Sequence, residues 1–288
     1  MSAATDPAPA AGSLLDTHVH LWNRSTDPQP WIDPETMAVL DRDFEPGHLA
    51  SMLDATGMAA AVVVQSSNSA AETRRLLAHR SPRIAGVVGW LDLSADPIAQ
   101  LDQLDPAARR RLVGLRHLIH LDPDPRWLAR PAVQAGLARL APHDVGFDLV
   151  VRWWQLPSAL TTAKAHPGLR LVLDHLGGTA DADDFDGWAQ SLRDLARLPN
   201  VWAKLSGLAG MGGPRPATAA TVRRAVDVAM EAFGPGRLMY GSDWPVAELG
   251  AGALAWRAAV EDLIDGLSEA EREAVLSRTG ADFYRVQV

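Results

Sequence analysis

Apolar residues along this chain gather in eight short runs, and the stretches between them carry polar residues at helical spacing. The runs are 14–22 (LLDTHVHLW), 59–66 (AAAVVVQS), 84–93 (IAGVVGWLDL), 112–120 (LVGLRHLIH), 144–152 (DVGFDLVVR), 169–177 (LRLVLDHLG), 200–208 (NVWAKLSGL) and 237–245 (RLMYGSDWP). They are continuous instead of strictly alternating, which is the pattern of parallel strands covered on both faces. The intervening segments are punctuated as helices. Ser69 and Glu72 have capping-box spacing before a helix over 73–80, Ser268 and Glu271 repeat it, and Gly57 and Gly234 stop helices over 46–56 and 217–233. Eight strands alternating with helices predict an α/β fold, a single-domain (β/α)8 TIM barrel over 14–288, with a flexible N-terminal segment over 1–13. A doubly wound open sheet shares the alternation, but the glycine-rich phosphate turn expected after its first strand is missing.

Composition narrows the function. At 288 residues, with 47% hydrophobic and 22% charged, the chain has enough apolar material for one large barrel, and no linker divides it. The net charge of -8 is spread along the chain, so neither nucleic acid nor an anionic membrane is an expected partner; a small-molecule substrate is, and a homo-oligomer is compatible. Cysteine is absent, which excludes disulfides, thiolate nucleophiles and Cys-ligated metals. Residues 1–13 lack the basic start and apolar run of a signal peptide, and no apolar stretch approaches the roughly 20 residues of a membrane span, so a cytoplasmic location is expected. Only Lys164 and Lys204 are lysines, a scarcity that points to base composition more than to function.

The candidate chemistry lies where polar residues break the apolar runs. His18 and His20 stand two apart at the end of the first run, so both side chains share a strand face and can address one ion. His175 ends the sixth run and Asp243 the eighth; closure of the barrel makes strands one and eight neighbours, and three imidazoles with a carboxylate suit one divalent ion, zinc first and manganese second. Asp16 and Asp174 adjoin these residues and better suit support of the imidazoles. Arg116, His117 and His120 crowd the end of the fourth run, with Arg152 at the fifth. Guanidinium groups there suit a carboxylate or polyhydroxy substrate and can polarise a carbonyl. Gln65 and Ser206 are neutral candidates for hydrogen bonding, and Trp22, Trp90, Trp153, Trp154 and Trp244 cluster at strand ends as aromatic walls. Two irregular stretches, 23–43 and 209–216, would overhang the C-terminal mouth, the first as a possible lid.

DTHVHLW, GLRHLIH, DHLGG and GSDWPV, in that order and at those strand ends, resemble the amidohydrolase superfamily, in particular its branch of sugar-acid and dicarboxylate lactonases. The resemblance spans about 14–286. It implies metal ligands at His18, His20, His175 and Asp243, with Asp243 also taking a proton from the attacking water, although some members of the branch work without metal. Arg116 and His117 stand where binuclear members place a carboxylated lysine, which implies one ion at most. The Lys-Pro and Thr-Glu pairs frequent after strands six and seven in sugar lactonases are absent here.

The expected reaction is lactone hydrolysis by activated water, with Asp243, His175 and Arg116 catalytic and with Arg116, His117, Gln65, Arg152, Trp22, Trp90 and Trp244 holding substrate. Its rivals are a metal-dependent non-oxidative decarboxylase of an aromatic or unsaturated acid, which would use the same ligands, and a barrel that binds a sugar acid without turnover.

Overall fold

The computed structural model describes residues 13–178, 184–208 and 218–288. Eight parallel strands, each paired with the next in sequence, form a single sheet: β1 (Leu15–Val19), β2 (Ala60–Val64), β3 (Ile84–Gly89), β4 (Leu112–His117), β5 (Gly146–Leu149), β6 (Leu171–Leu173), β7 (Val201–Leu205) and β8 (Leu238–Tyr240). The seam between β8 and β1 is bridged by a parallel contact of Val19 with Trp244, so the sheet is a nearly closed barrel. Around it run α1 (Pro46–Thr56), α2 (Ala70–Ala78), α3 (Pro97–Asp102), α4 (Pro106–Arg111), α5 (Pro131–Leu140), α6 (Leu156–Ala165), α7 (Phe185–Ala196), α8 (Ala219–Phe233), α9 (Gly252–Leu263), α10 (Glu269–Glu273) and α11 (Thr279–Tyr284). No described helix is long and apolar enough to cross a membrane.

Each strand lies inside its predicted run but is shorter. The helices start where side chains satisfy their free N–H groups: Ser69 accepts from Glu72 N, Asp96 and Asp105 cap α3 and α4, and Thr218 caps α8. Because Ser69 is itself the cap, α2 begins at Ala70, three residues before its expected start. Gly57 ends α1 in the left-handed region, and Gly234 at positive φ ends α8. Residues 1–12 and the expected overhang at 209–216 lie outside the described residues.

The core divides by strand face. Outward side chains pack against the helices, while Leu15, Ala60, Val62, Val64, Val88, Val113, Val172 and Met239 fill the barrel's interior, plugged by Phe283 and Tyr284 of α11. The Tyr284 hydroxyl, at the top of this plug, donates to Asp148 Oδ2 at 2.7 Å. Apolar filling stops at that level and a buried charged layer begins.

Helix packing on the barrel is tight at α5. A Cβ placed on Gly136 would lie 2.4 Å from the Leu93 carbonyl oxygen, a backbone atom that cannot swing aside. Gly136→Ala is therefore expected to lower stability by roughly 1–3 kcal/mol in urea unfolding, the cost typical of overpacking. Unchanged stability would refute this close approach.

Candidate active site

The site is built at the seam. Leu15 faces the barrel interior with the apolar plug, and strict alternation would turn His18 outward; a register irregularity between Asp16 and Val19 returns it to the inside. Asp16 stabilises that irregularity, its Oδ1 accepting from His18 N at 3.1 Å and from Ser242 N at 2.9 Å. Burial pushes the Asp16 carboxyl up to about 6, against these N–H bonds that favour its charge. Two backbone bonds then join the strands: Asp243 N donates to the His18 carbonyl at 2.8 Å and His20 N to the Trp244 carbonyl at 2.7 Å.

His175 and Asp243 do not end their strands as expected. β6 stops at Leu173 and β8 at Tyr240, and both residues adopt left-handed backbone, with φ of 53° and 61°. Non-glycine residues are rarely found there, and when the surroundings enforce it the site is often functional. The left-handed turn directs His175 back over the barrel, 4.7 Å between ring centroids from His18, and Ser206 Oγ holds its Nδ1 at 2.8 Å. Gly207 makes this possible, since a Cβ there would lie 2.5 Å from His175 Nδ1.

Asp243 Oδ1 lies 3.4 Å from His20 Nε2 and 3.6 Å from His18 Nε2. Burial alone would raise the Asp243 carboxyl, but His175, His18 and His20 outweigh it and hold it at about 2, so it is ionised at neutral pH. Burial pushes both His18 and His175 below the usual imidazole range, with Lys204 adding to the effect on His18. His20 Nδ1 donates to the Val64 carbonyl at 2.8 Å, so in the neutral ring Nε2 points a lone pair at the Asp243 carboxylate. Two acceptors so close call for a proton or a cation between them.

Beneath the imidazoles lies a layer of buried ions. Arg116 Nη1 is 2.9 Å from Asp174 Oδ2 and 3.2 Å from His18 Nε2, and its Nη2 donates to the Gln65 carbonyl. Lys204 Nζ is 2.6 Å from Asp148 Oδ2 and 3.0 Å from Asp174 Oδ1. Burial would raise Asp174, yet Lys204, His18 and Arg116 hold it well below the carboxylate range. Burial lifts Asp148 to about 6, with Lys204 opposing.

His18, His175 and Asp243 offer ligand atoms all within 4.8 Å of one another, which with the lone pair of His20 fits a divalent ion. Arg116 is a competing cation at the same His18 nitrogen, so an ion there requires Nη1 to stay with Asp174.

The other expected residues are placed as follows. Gln65 is fully buried, its Nε2 donating to the Arg116 carbonyl at 3.0 Å and its Oε1 unpartnered. His117 is committed on both nitrogens, to Trp90 Nε1 at 3.0 Å and Asp122 at 2.8 Å, and it stacks on Trp127 at 3.9 Å. Trp22, fully buried, packs against Trp31 and Phe44, and Trp244 packs against Phe44 as well. Trp90 is only partly buried, and Arg152 opens the turn after β5 with its N–H on Gln155 Oε1. The 23–43 stretch is cross-linked within itself by Arg24 to Asp41 and tied to α2 by Arg75 to Asp27.

Sequence reasoning missed Lys204 and Asp148. The signal was there: each is a lone charge inside an apolar strand, and one belongs to a chain with two lysines. Of the two lysines, Lys204 is the one buried among Asp148 and Asp174, a position that base composition does not explain. His120, which the sequence placed nearby without a role, has an unpartnered buried Nδ1, and burial with Arg116 and Arg152 pushes its ring down to about 3.

Comparison with known proteins agrees in extent with the resemblance. The family model described as amidohydrolase matches residues 15–286. An L-fucono-1,5-lactonase of Burkholderia ambifaria is 35% identical over 283 residues, 94% of this chain and 95% of that one. Another, of Burkholderia multivorans, is 37% identical over 284 residues, with the same coverage. Among solved structures, an amidohydrolase of Burkholderia multivorans with bound zinc superimposes with a TM-score of 0.86 at 35% identity, over 95% of this chain and 99% of that one.

The buried ions carry a stability consequence. Asp174→Ala leaves Arg116 and Lys204 without their shared carboxylate, and breaking one partner of such a set costs about 3–5 kcal/mol. Urea unfolding should show a loss of that order; a loss under about 1 kcal/mol, the range of exposed pairs, would contradict the network.

Proposed function

Because the chain belongs to the amidohydrolase family, we propose that it hydrolyses a lactone, and that its substrate is a neutral sugar-acid lactone of the kind named for its L-fucono-1,5-lactonase relatives. The observation that carries this reading is the buried, ionised Asp243 carboxylate, facing two imidazoles at the barrel mouth. A water beside it can lose a proton to Oδ1 as its oxygen attacks the lactone carbonyl carbon. The carbonyl electrons move to oxygen, for which His175, held over the barrel beside His18, is the candidate donor. With Ser206 donating to Nδ1, the neutral ring carries its proton on Nε2 and can hydrogen-bond the oxyanion. Collapse breaks the ring C–O bond, and the proton held by Asp243 passes to the departing alkoxide, leaving a hydroxy acid.

A metal held by His18, His20, His175 and Asp243 would supply Lewis-acid polarisation and a more acidic water; His175 would then carry its proton on Nδ1, toward Ser206. Zinc is the ion we favour, since a relative of similar fold binds it. Arg116 acts indirectly in this reading. Both of its Nη atoms are engaged, by Asp174, His18 and the Gln65 carbonyl, so in this reading it fixes the cluster's charge instead of clamping a substrate carboxylate. That favours a neutral lactone over a dicarboxylate one, and hydroxyl groups would meet Gln65 Oε1 and the partly exposed Trp90. With such a substrate, the role we propose is in carbohydrate catabolism.

The test is a panel of sugar-acid and dicarboxylate lactones followed with a pH indicator, with and without chelator. The chain should release acid from sugar-acid lactones, and Asp243→Asn should fold normally while losing about 10²–10⁴-fold in kcat. Full activity in Asp243→Asn would remove Asp243 from the chemistry. Carbon dioxide from a carboxylic acid, with no lactone turnover, would establish the decarboxylase instead.

A further inference from the structure

A second set of potential ligands lies deeper in the barrel. His18, Asp148 and Asp174, all fully buried, offer ligand atoms within 4.8 Å of one another, one imidazole nitrogen and two carboxylate oxygens. Lys204 Nζ stands among them, 2.6 Å from Asp148 Oδ2, 3.0 Å from Asp174 Oδ1 and 3.1 Å from His18 Nδ1. An ammonium is a compact point charge, and here it donates to Asp148 Oδ2 and is paired by charge with Asp174 Oδ1, standing where a metal ion would meet both carboxylates. We propose that the Lys204 ammonium is a built-in cation occupying a second metal site, and that its presence limits the barrel to one exchangeable ion.

The placement follows from the fold. β4, β5, β6 and β7 are consecutive neighbours, and Asp148 on β5, Asp174 just past β6 and Lys204 on β7 point to the barrel axis, where His18 arrives from β1. Among the described residues, only this triad and the His18, His175 and Asp243 set have metal-ligand spacing. The two share His18, one through each ring nitrogen if both were loaded. The ammonium beside Nδ1 is offset by Asp174 Oδ1, 3.4 Å from that nitrogen, which takes the N–H of the ring and leaves the Nε2 lone pair to the mouth. The two carboxylates need a cation whatever the reaction, because unpaired buried carboxylates are costly. A lysine supplies it permanently, without dependence on free metal.

The role is separable from lactone hydrolysis, since the readout is ion stoichiometry. Manganese(II) is titrated into chelator-stripped protein and bound ion is counted by electron paramagnetic resonance. The native chain should bind at most one tightly held ion. Lys204→Ala should bind one more than native, with a rise in thermal midpoint on adding manganese that the native chain does not match, and Lys204→Ala/Asp148→Asn should lose the extra ion. Two tight ions on the native chain would overturn the proposal. So would a folded Lys204→Ala with no added ion, or an extra ion that survives Asp148→Asn. If Lys204→Ala fails to fold alone, manganese or ethylammonium should restore it; failure of both would equally overturn the cation-site assignment.

Discussion

An eight-stranded sheet becomes a barrel only where its first and last strands meet, and in this protein they meet through the residues of the site. The bonds from Asp243 N to the His18 carbonyl and from His20 N to the Trp244 carbonyl close the seam. Closing it therefore sets a carboxylate beside two imidazoles with the accuracy of backbone geometry. Asp16 reinforces the same junction by accepting from both His18 N and Ser242 N. A shift at this seam would move fold and chemistry together. Gly241 records the same constraint, because a Cβ there would press on His18 Cβ at 2.7 Å.

The second determinant is charge below the seam. Lys204 and Arg116 share Asp174, and Lys204 also pairs with Asp148, all nearly inaccessible to water. These ions gain little over an apolar core in stability. Their effect is on the imidazole above: burial disfavours protonation of His18 and Lys204 adds to it, with Asp174 opposing, while Asp243 stays ionised. Neutral imidazoles beside an anionic carboxylate form a site that can accept a proton from water and orient an oxyanion.

Much of this was legible in the sequence. The eight apolar runs each contain one strand, and His18, His20, His175, Asp243 and Arg116 all fall in or near one cluster. Less legible was how they get there. His18 faces inward through a register irregularity, and His175 and Asp243 through left-handed turns beyond strands shorter than their apolar runs. Periodicity reports alternation within a strand and is silent on both devices. Lys204 and Asp148 escaped because their meaning depends on juxtaposition across the barrel. His117 and Trp22, expected at the substrate, are bound into packing by Asp122, Trp127 and Phe44, contacts between segments distant in sequence.

The central claim is that Asp243 activates a water that attacks the lactone directly. A single turnover in ¹⁸O-water, with enzyme in excess over lactone, tests it most closely. The account predicts one ¹⁸O in the carboxylate of the first-turnover product and none in the peptide containing Asp243. Label in that peptide, with unlabelled product, would make Asp243 a nucleophile and contradict it.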